Sequence, residues 1–421
     1  MTDIEHTTCV VAGGGPAGIV LGLLLARAGV DVTVLEKHGD FLRDFRGDTV
    51  HPTTMQLLED LGLGAEFQRL PHSRVQTVGF PAADGKPLVV ADFGRLRGRY
   101  RYVAMVPQWD LLDMLAAAGK AEPTFHLRMN TEATGTVTEG GRVVGVSYRT
   151  TDGRTGELRA DLTVAADGRW SVLRRAAGLR PHEYPVPIDT WWFRLPKHAD
   201  DRDTGLNAQT ADRGFALLIN RTDYFQVAYL AAKGIDGQLR AEGLDRFRAR
   251  IARVLPAVAD RVDQIESLDD VKHLDVRLNR LPTWYTDGLL CVGDAAHAMS
   301  PAGGVGINLA IQDAVATARL LAGPLRTHTL RTEDLAKVQR RRWLPTVGVQ
   351  AIQRLVHRSM FEPVVNGERA GVPPLFVTLL RRMPLLRMVP TYLIGVGIRP
   401  ERAPDFARRP AAAPDPTERP A

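Results

Sequence analysis

The hydrophobic pattern of the first forty residues predicts a strand, a helix and a second strand. Residues 7–12 form an apolar run that is typical of a buried strand. Residues 31–35 alternate apolar and polar positions as a second strand. A strand, a helix and a second strand within residues 7–35 have the length expected of a right-handed β-α-β unit. The helix between the strands is indicated by apolar positions at helical spacing, which are Ala17, Leu21, Leu24, Leu25 and Ala28, before Gly29.

The rest of the chain predicts a second domain inserted into the first. A capped helix at residues 107–119 is followed by short alternating strands within 125–150. Between about 181 and 281, aromatic-rich strands surround one charged helix near 239–254, which is typical of a separate sheet-based domain. An apolar strand and a long helix that starts near Gly304 return the chain to the first unit.

Composition narrows the functional class without changing this picture. The 421 residues, 44% of them hydrophobic, suffice for a large core. The net charge is +6, but the arginines are scattered rather than interleaved with aromatics, so we expect no nucleic-acid partner. Cys9 and Cys291 fall inside predicted strands without CxxC or zinc spacing, so we expect inert thiols and no metal. The chain opens without a charged segment leading into an apolar one, which favours a cytoplasmic protein.

A glycine-rich turn lies between the first predicted strand and the helix. Gly13, Gly15 and Gly18 have GxGxxG spacing, and Glu36 ends the second strand. Such glycines let the backbone approach a pyrophosphate at the helix N-terminus, and the acid accepts hydrogen bonds from a ribose. An acid at this position favours FAD or NAD over NADP. The predicted nucleotide-contacting set also includes Pro16, Ala17 and Lys37.

Two further motifs follow strands later in the chain. Asp167-Gly168 lies in TVAADGRW, and Gly293-Asp294 lies in LLCVGDAAHAMSPAGGVGIN. In this order, GxGxxG, DG and GD resemble the flavoprotein aromatic hydroxylases, single-component FAD-dependent monooxygenases similar to para-hydroxybenzoate hydroxylase. The resemblance covers roughly residues 5–360, and residues 294–308 are its most specific part.

The third motif also has a physical interpretation. A carboxylate at a strand tip, Asp294, can hold ribityl or ribose hydroxyls, and the following glycine-rich turn directs a helix N-terminus at the flavin. We expect His297 in this stretch to be a packing residue. The resemblance implies catalytic roles beside the flavin for Arg46, Pro301 and Asn308. It also implies cofactor contacts for Arg46, Gln108, Asp167, Asp294, Gly304, Gly306, Ile307 and Asn308.

The resemblance implies an α/β fold. It consists of a Rossmann-like β-α-β FAD-binding domain of the glutathione-reductase type, an inserted mixed β-sheet substrate domain and a C-terminal helical segment. No second GxGxxG precedes a β-α-β pattern, so we expect NAD(P)H to dock transiently in a cleft. The expected boundaries are 1–74, 97–180 and 281–330 for the FAD-binding domain, 75–96 and 181–280 for the substrate domain, 331–402 for C-terminal helices and 403–421 for a disordered tail.

The implied reaction uses FAD, NAD(P)H and O2 to hydroxylate an aromatic or polyketide-like small molecule through a C4a-hydroperoxyflavin. In such chemistry the protein orients the substrate and excludes water, so no catalytic triad is expected. The aromatic strands are expected to build the substrate face, although alternation alone does not tell which set of side chains faces the flavin. The candidates are Trp191, Phe193, Phe215, Tyr224 and Gln226.

Two alternative functions stay open at this point. WWFRLP is similar to the Trp-x-Trp-x-Ile-Pro signature of flavin-dependent halogenases, but Phe193 and Leu195 depart from it. An isoprenoid-type reductase at a membrane surface is the other alternative, because arginines flank apolar runs in residues 373–401. We favour internal packing of that segment, and its apolar runs are too short to predict a membrane span.

Overall fold

The computed structural model describes residues 3–42, 49–81, 87–201, 206–211, 213–221, 223–368 and 374–410. Its strands are β1 Asp3–Ala12, β2 Val32–Leu35, β3 Thr49–Val50, β4 Ser73–Val75, β5 Thr77–Pro81, β6 Pro87–Asp92, β7 Val103–Met105, β8 Phe125–Arg128, β9 Thr131–Glu139, β10 Arg142–Thr150, β11 Thr155–Ala165, β12 His182–Tyr184, β13 Ile188–Pro196, β14 Leu206–Ala211, β15 Gly214–Asn220, β16 Tyr224–Ala232, β17 Lys272–Leu274, β18 Leu278–Arg280, β19 Tyr285–Thr286 and β20 Leu289–Cys291. Its α-helices are α1 Pro16–Arg27, α2 Pro52–Asp60, α3 Gly64–Arg69, α4 Gln108–Lys120, α5 Val172–Ala176, α6 Asp236–Glu242, α7 Leu244–Val254, α8 Gly306–Arg326, α9 Thr332–Val356, α10 Glu362–Val365, α11 Pro374–Arg382 and α12 Met388–Gly395.

The first sheet carries the predicted β-α-β unit, which the structure confirms. Its strands follow the order β19-β20-β11-β1-β2-β8, with β9 and β10 attached at β11. Strands β1 and β2 are parallel, with Cys9 opposite Val32 and Ala12 opposite Leu35. Helix α1 connects them and is buried along most of its length, because α4 and α8 pack against it. The carboxyl ends of β1, β11 and β20 therefore meet at one edge of the sheet, where the three motifs lie.

The second sheet has the order β17-β13-β16-β15-β14-β5-β6. It is mixed, because β14 pairs with β5 in parallel and its other pairs are antiparallel. Helices α6 and α7 cover one face, and the residues around α10 and α12 pack on the opposite face. We call this opposite face the inner face.

Two predicted elements differ from the structure. The single charged helix near 239–254 is two helices, α6 and α7, which are separated at Gly243, where φ is +86°. The expectation of a disordered tail from residue 403 is wrong for residues 403–410, because Ala403 and Ala407 are buried in the core of the first domain. The Arg27 guanidinium donates a 2.9 Å hydrogen bond to the carbonyl of Ala407 and fixes this segment. Residues 411–421 of that predicted tail lie outside the described residues.

One stretch, Ala302–Arg326, is long and apolar enough to cross a bilayer by length and composition alone. Its most apolar window is 78% buried inside the protein. It contains α8, which packs against α1 and α9 as a core helix.

Candidate active site

The turn between β1 and α1 is built from backbone alone. Gly13 has φ +110°, and a Cβ atom there would collide with the carbonyl of Ala166. A Cβ at Gly18 would collide with the carbonyl of Gly13, whereas a Cβ at Gly15 would have nothing within 4 Å. Helix α1 has no side-chain cap and no acid in its first turn. This open helix N-terminus is suited to an anionic pyrophosphate.

Glu36 closes the turn from the end of β2. Its Oε2 accepts a 2.9 Å hydrogen bond from the Gly14 amide, and its Oε1 accepts one of 3.1 Å from the His38 amide. The carboxylate is thereby held beside the turn, where a ribose would follow a pyrophosphate. Lys37, the next residue, is exposed.

A second open helix N-terminus lies at α8. Gly303 and Gly304 have positive φ values of +83° and +62°, and a Cβ at Gly304 would press against the side chain of Thr49. The Gly304 carbonyl accepts a 2.7 Å hydrogen bond from the Thr49 hydroxyl and lies 3.0 Å from Nε2 of His51. These contacts fix the loop that begins at Pro301 and leads through Gly306 and Ile307 into α8. Helix α8 has no side-chain cap and no acid in its first turn, so this end favours negative charge in front of it.

Asn308 lies in the first turn of α8 and is 3% exposed. Its Oδ1 accepts hydrogen bonds from the hydroxyls of Thr53 at 3.0 Å and Thr54 at 2.6 Å. Both hydroxyls fix the orientation of the amide, because only the oxygen can accept them. Within the described part of the chain the Nδ2 of Asn308 has no acceptor, so this donor fits a carbonyl group of a bound flavin.

The carboxylates of the DG and GD motifs are placed differently. Asp167 Oδ2 accepts hydrogen bonds from the amides of Val172 at 2.8 Å and Leu173 at 3.2 Å, so it caps α5. Burial raises the pKa of Asp167. Asp294 is partly exposed at the end of β20 and lies 3.4 Å from the guanidinium of Arg169. Asp294 is therefore accessible to a cofactor hydroxyl, whereas a cofactor contact by Asp167 stays a prediction.

A buried ionic network, which was not predicted from the sequence, lies behind the GD motif. Nε2 of His297 is 2.6 Å from Asp313 Oδ2, which also accepts a 3.1 Å hydrogen bond from the Gly293 amide. Arg342 from α9 donates a 2.9 Å hydrogen bond to Asp313 Oδ1 and lies 3.8 Å from Glu401. Burial alone would raise the pKa of Asp313, but the interactions with His297 and Arg342 outweigh burial and lower the pKa. His297 is thus a buried packing and positioning residue.

The other predicted cofactor residues that the structure describes include four at helix starts or in the loop before α8. Gln108 is half-buried at the start of α4. Pro301, Gly306 and Ile307 are half-buried in the loop and first turn of α8. Arg46 falls within residues 43–48, outside the described residues, so its predicted role stays a prediction.

The register of the second sheet decides which aromatic side chains face inward. Trp191 and Phe193 are each 1% exposed and pack under α6 and α7. The Trp191 indole donates a 2.7 Å hydrogen bond to Asp236, and the ring of Phe193 lies 5.6 Å from that of Phe247. The structure therefore corrects their assignment to the substrate face, because both complete the core on the other side.

The side chains that alternate with these core residues along β13, β15 and β16 point to the inner face. Trp192, Ala228 and Leu217 lie opposite one another on three adjacent strands. Phe215 is on the same face, and this cluster packs against Ala302, which follows Pro301. Trp192 was not among the predicted substrate residues, because alternation along a strand does not tell which face is inward.

The two other candidates also lie on the inner face, on β16. The Gln226 carbonyl accepts hydrogen bonds from Nε and Nη2 of Arg221 at 3.0 and 2.6 Å, and both residues are buried. Tyr224 lies at the start of the strand, with the guanidinium of Arg194 4.7 Å from its ring centre. Gln226 and Arg221 therefore bring polar groups to this end of the face.

Comparisons with known proteins agree with this geometry. Residues 6–342 match the family described as FAD binding domain. The chain is 36% identical to 6-methylpretetramide 4-monooxygenase of Streptomyces rimosus, over 92% of each chain. It is 29% identical to a 12-dehydrotetracycline 5-monooxygenase/anhydrotetracycline 6-monooxygenase of the same species, covering 73% of this chain and 60% of that one.

Solved structures share the fold. The anhydrotetracycline hydroxylase OxyS from Streptomyces rimosus has a TM-score of 0.74 at 22% identity, covering 93% of this chain and 76% of that chain. The myxobacterial chondrochloren halogenase CndH has a TM-score of 0.74 at 20% identity, covering 94% of this chain and 98% of that chain. At these identities the likeness shows the fold alone.

The chain belongs to this family of FAD-binding proteins. It is an FAD-dependent monooxygenase. The predicted fold class, cofactor and enzyme class are confirmed.

Replacement of Asn308 by leucine should leave FAD bound and slow its reduction by NAD(P)H about tenfold, as expected for the loss of one hydrogen bond to a developing charge. The measurement is the rate of bleaching of the flavin absorbance after rapid mixing with NAD(P)H without oxygen. Thr53→Val is the control, because Thr54 still fixes the Asn308 amide. Bleaching of the leucine variant at the wild-type rate would show that the amide does not act on the flavin.

Stability should fall as the pH falls from about 6.5 towards 4. Burial lowers the pKa of His357 to about 4, from an ordinary value of 6.5. Burial also lowers the pKa of His51. As the pH falls, the histidines of the unfolded chain are protonated before those of the folded protein. The stabilisation from the neutral histidines is therefore complete above about pH 6.5 and is lost as the pH falls towards 4.

The midpoint of thermal unfolding, measured between about pH 7.5 and about pH 4.5, checks this expectation. His357→Gln should lose less stability over the range than the wild type, since both share every carboxylate titration. Equal losses in the two proteins would contradict the account of His357.

Proposed function

We propose that the protein hydroxylates a polycyclic aromatic substrate of the polyketide type, with NAD(P)H and O2. The observation that carries the proposal is the apolar inner face, on which Trp192, Leu217 and Phe215 pack next to the loop that leads into α8. Flat aromatic side chains suit flat fused rings. The two Streptomyces rimosus monooxygenases are named for 6-methylpretetramide and for 12-dehydrotetracycline and anhydrotetracycline, which supports the proposal.

The polar end of the inner face suits an oxygen-rich ring system. Arg221 holds positive charge beside Gln226 in a buried setting. A buried guanidinium favours the ionised form of a nearby phenol or enol. Ionisation makes a ring carbon more electron-rich, which is the condition for accepting an electrophilic oxygen atom.

The protein groups have three tasks in this reaction. Gly15, Glu36 and Asp294 would hold the dinucleotide part of FAD through an open helix N-terminus and two carboxylates. Asn308 and the N-terminus of α8 would stabilise negative charge on the flavin. The inner face would orient the substrate and exclude water. FAD, when bound, supplies the electron transfer from NAD(P)H and the activation of O2.

Halogenation and isoprenoid reduction are not favoured. A relative that is 36% identical along nearly the whole chain is a monooxygenase. The resemblance of WWFRLP to a halogenase signature is incomplete, and Phe193 within it is a core residue. The chondrochloren halogenase structure shares only the fold.

A pair of neighbouring variants tests the substrate assignment. With fused-ring phenols as substrates, Trp192→Leu should raise KM about tenfold and uncouple NAD(P)H consumption from product, with unchanged FAD content. Phe193→Leu removes an aromatic ring from the opposite face of the same strand, so it should lower thermal stability and leave KM unchanged. An unchanged KM for Trp192→Leu, or activity only on single-ring phenols, would contradict the proposal.

A further inference from the structure

The segment at residues 374–400 has an unusual charge balance. It contains no aspartate or glutamate and four arginines, which are Arg381, Arg382, Arg387 and Arg399. Arg382 and Arg399 are exposed and form no ion pair with any residue that the structure describes. The surface of this segment is therefore positively charged.

The same segment exposes large apolar side chains on consecutive turns. The predicted internal packing of this segment is correct for Val377 and Leu380, which contact Leu88. It is wrong for five others, which run from the end of α11 into α12. Their exposed fractions are 43% for Leu379, 52% for Met383, 77% for Leu385, 57% for Val389 and 49% for Tyr392. We call these five residues the 379–392 patch.

The backbone beneath the patch is anchored, so the exposure is a property of the fold. Thr391 is fully buried, and its hydroxyl accepts a 2.8 Å hydrogen bond from the Asp92 amide. The Val377 and Leu380 side chains fix the preceding helix on β6. A fixed apolar surface marks an interaction site, and the exposed Arg382 beside it favours an anionic lipid interface as the partner.

The segment also reaches the candidate active site. Ile394 packs with the Trp192 cluster on the inner face. The Ile394 carbonyl lies 2.6 Å from Nδ1 of His51, whose Nε2 is 3.0 Å from the Gly304 carbonyl. Helix α12 therefore begins at the protein surface and ends beside His51, which contacts the loop that leads into α8.

We propose that the 379–392 patch docks the enzyme on an anionic lipid surface. The apolar side chains enter the interface between headgroups and acyl chains, and the arginines contact the headgroups. Docking places α12 between the lipid and the inner face. The proposal is independent of the hydroxylation, since it concerns a surface outside the site.

Co-sedimentation of the yellow holoenzyme with lipid vesicles tests the proposal. One set of vesicles is phosphatidylcholine alone, and the other contains about 30% phosphatidylglycerol. We expect binding to the anionic vesicles, weakened by high salt. The double variant Leu385→Asp with Val389→Asp should bind at least about tenfold more weakly, and Arg382→Glu several-fold more weakly.

Leu355→Asp is the matched control, because Leu355 is 65% exposed on α9 and lies outside the patch. Equal FAD absorbance and unfolding temperature show that each variant is folded. Three results would overturn the proposal: no binding of the wild type to anionic vesicles, equal weakening by the control, or a wild-type dimer that the double variant converts to a monomer. The last result would assign the patch to a second copy of the chain.

Discussion

The Gly15→Val protein should fold and purify colourless, with less than about a tenth of the wild-type FAD content. A Cβ atom at this position meets nothing within 4 Å and Gly15 has extended backbone angles, so the fold accepts a branched side chain here. It projects into the open space in front of α1, where the pyrophosphate would lie against the free amides of the first turn. Loss of that contact weakens binding by far more than a tenfold factor, because several charge-assisted hydrogen bonds are lost together.

Flavin absorbance relative to protein absorbance, together with the unfolding temperature, measures this effect. Gly323→Val adds the same side chain to an exposed glycine of α8 that also has nothing within 4 Å, and it should stay yellow. A yellow Gly15→Val protein with normal FAD content would place the pyrophosphate elsewhere.

The Arg342→Met protein should lose about 3–5 kcal/mol of unfolding free energy. Arg342 is 1% exposed and lies between Asp313 and Glu401, whose side chains are fully buried. Methionine fills the space but leaves two buried carboxylates without this cation. Because Asp313 also holds the Gly293 amide, FAD binding should weaken in the same variant.

Arg341→Met is the matched control, since Arg341 pairs with the same Glu401 but is 32% exposed. It should cost less than Arg342→Met, about 1.5–3 kcal/mol, because it breaks hydrogen bonds to Glu401 but leaves Asp313 paired with Arg342. Urea unfolding of the two variants and the wild type gives the comparison. Equal losses for both arginines would contradict the importance of the buried network.

The β-α-β unit and its three motifs could be predicted from the sequence because each depends on local order. The glycines of GxGxxG permit a tight turn that other residues would block. A Cβ atom at Gly13 or Gly18 would collide with neighbouring backbone, as the motif requires. The position of Asp294 follows from the end of its strand. Such features need only a few consecutive residues.

The features that could not be predicted depend on long-range pairing. Trp191 and Trp192 are equally apolar neighbours, and only the register of β13 against β16 assigns them to opposite faces. The Asp313, Arg342 and Glu401 network joins three segments that are distant in sequence. The predicted tail failed at residues 403–410 for the same reason, because two buried alanines rather than a periodic pattern hold it.

The role of the DG motif shows a further limit of motif spacing. Spacing located Asp167 correctly at the end of β11, but its carboxylate turns towards the amides of α5. A strand-end acid can cap the next helix or face a ligand, and the sequence is the same in both cases. Side-chain orientation is therefore the part of the site that the pattern left open.

The most direct test of the central claim is the fate of molecular oxygen. The holoenzyme is supplied with NAD(P)H, a fused-ring phenol and isotopically labelled O2, and the product is analysed by mass spectrometry with chloride and bromide present. The account predicts a product heavier by one labelled oxygen atom, with NAD(P)H consumption accelerated by the phenol. A halogenated product, a reduced product without oxygen, or oxygen derived only from water would contradict it.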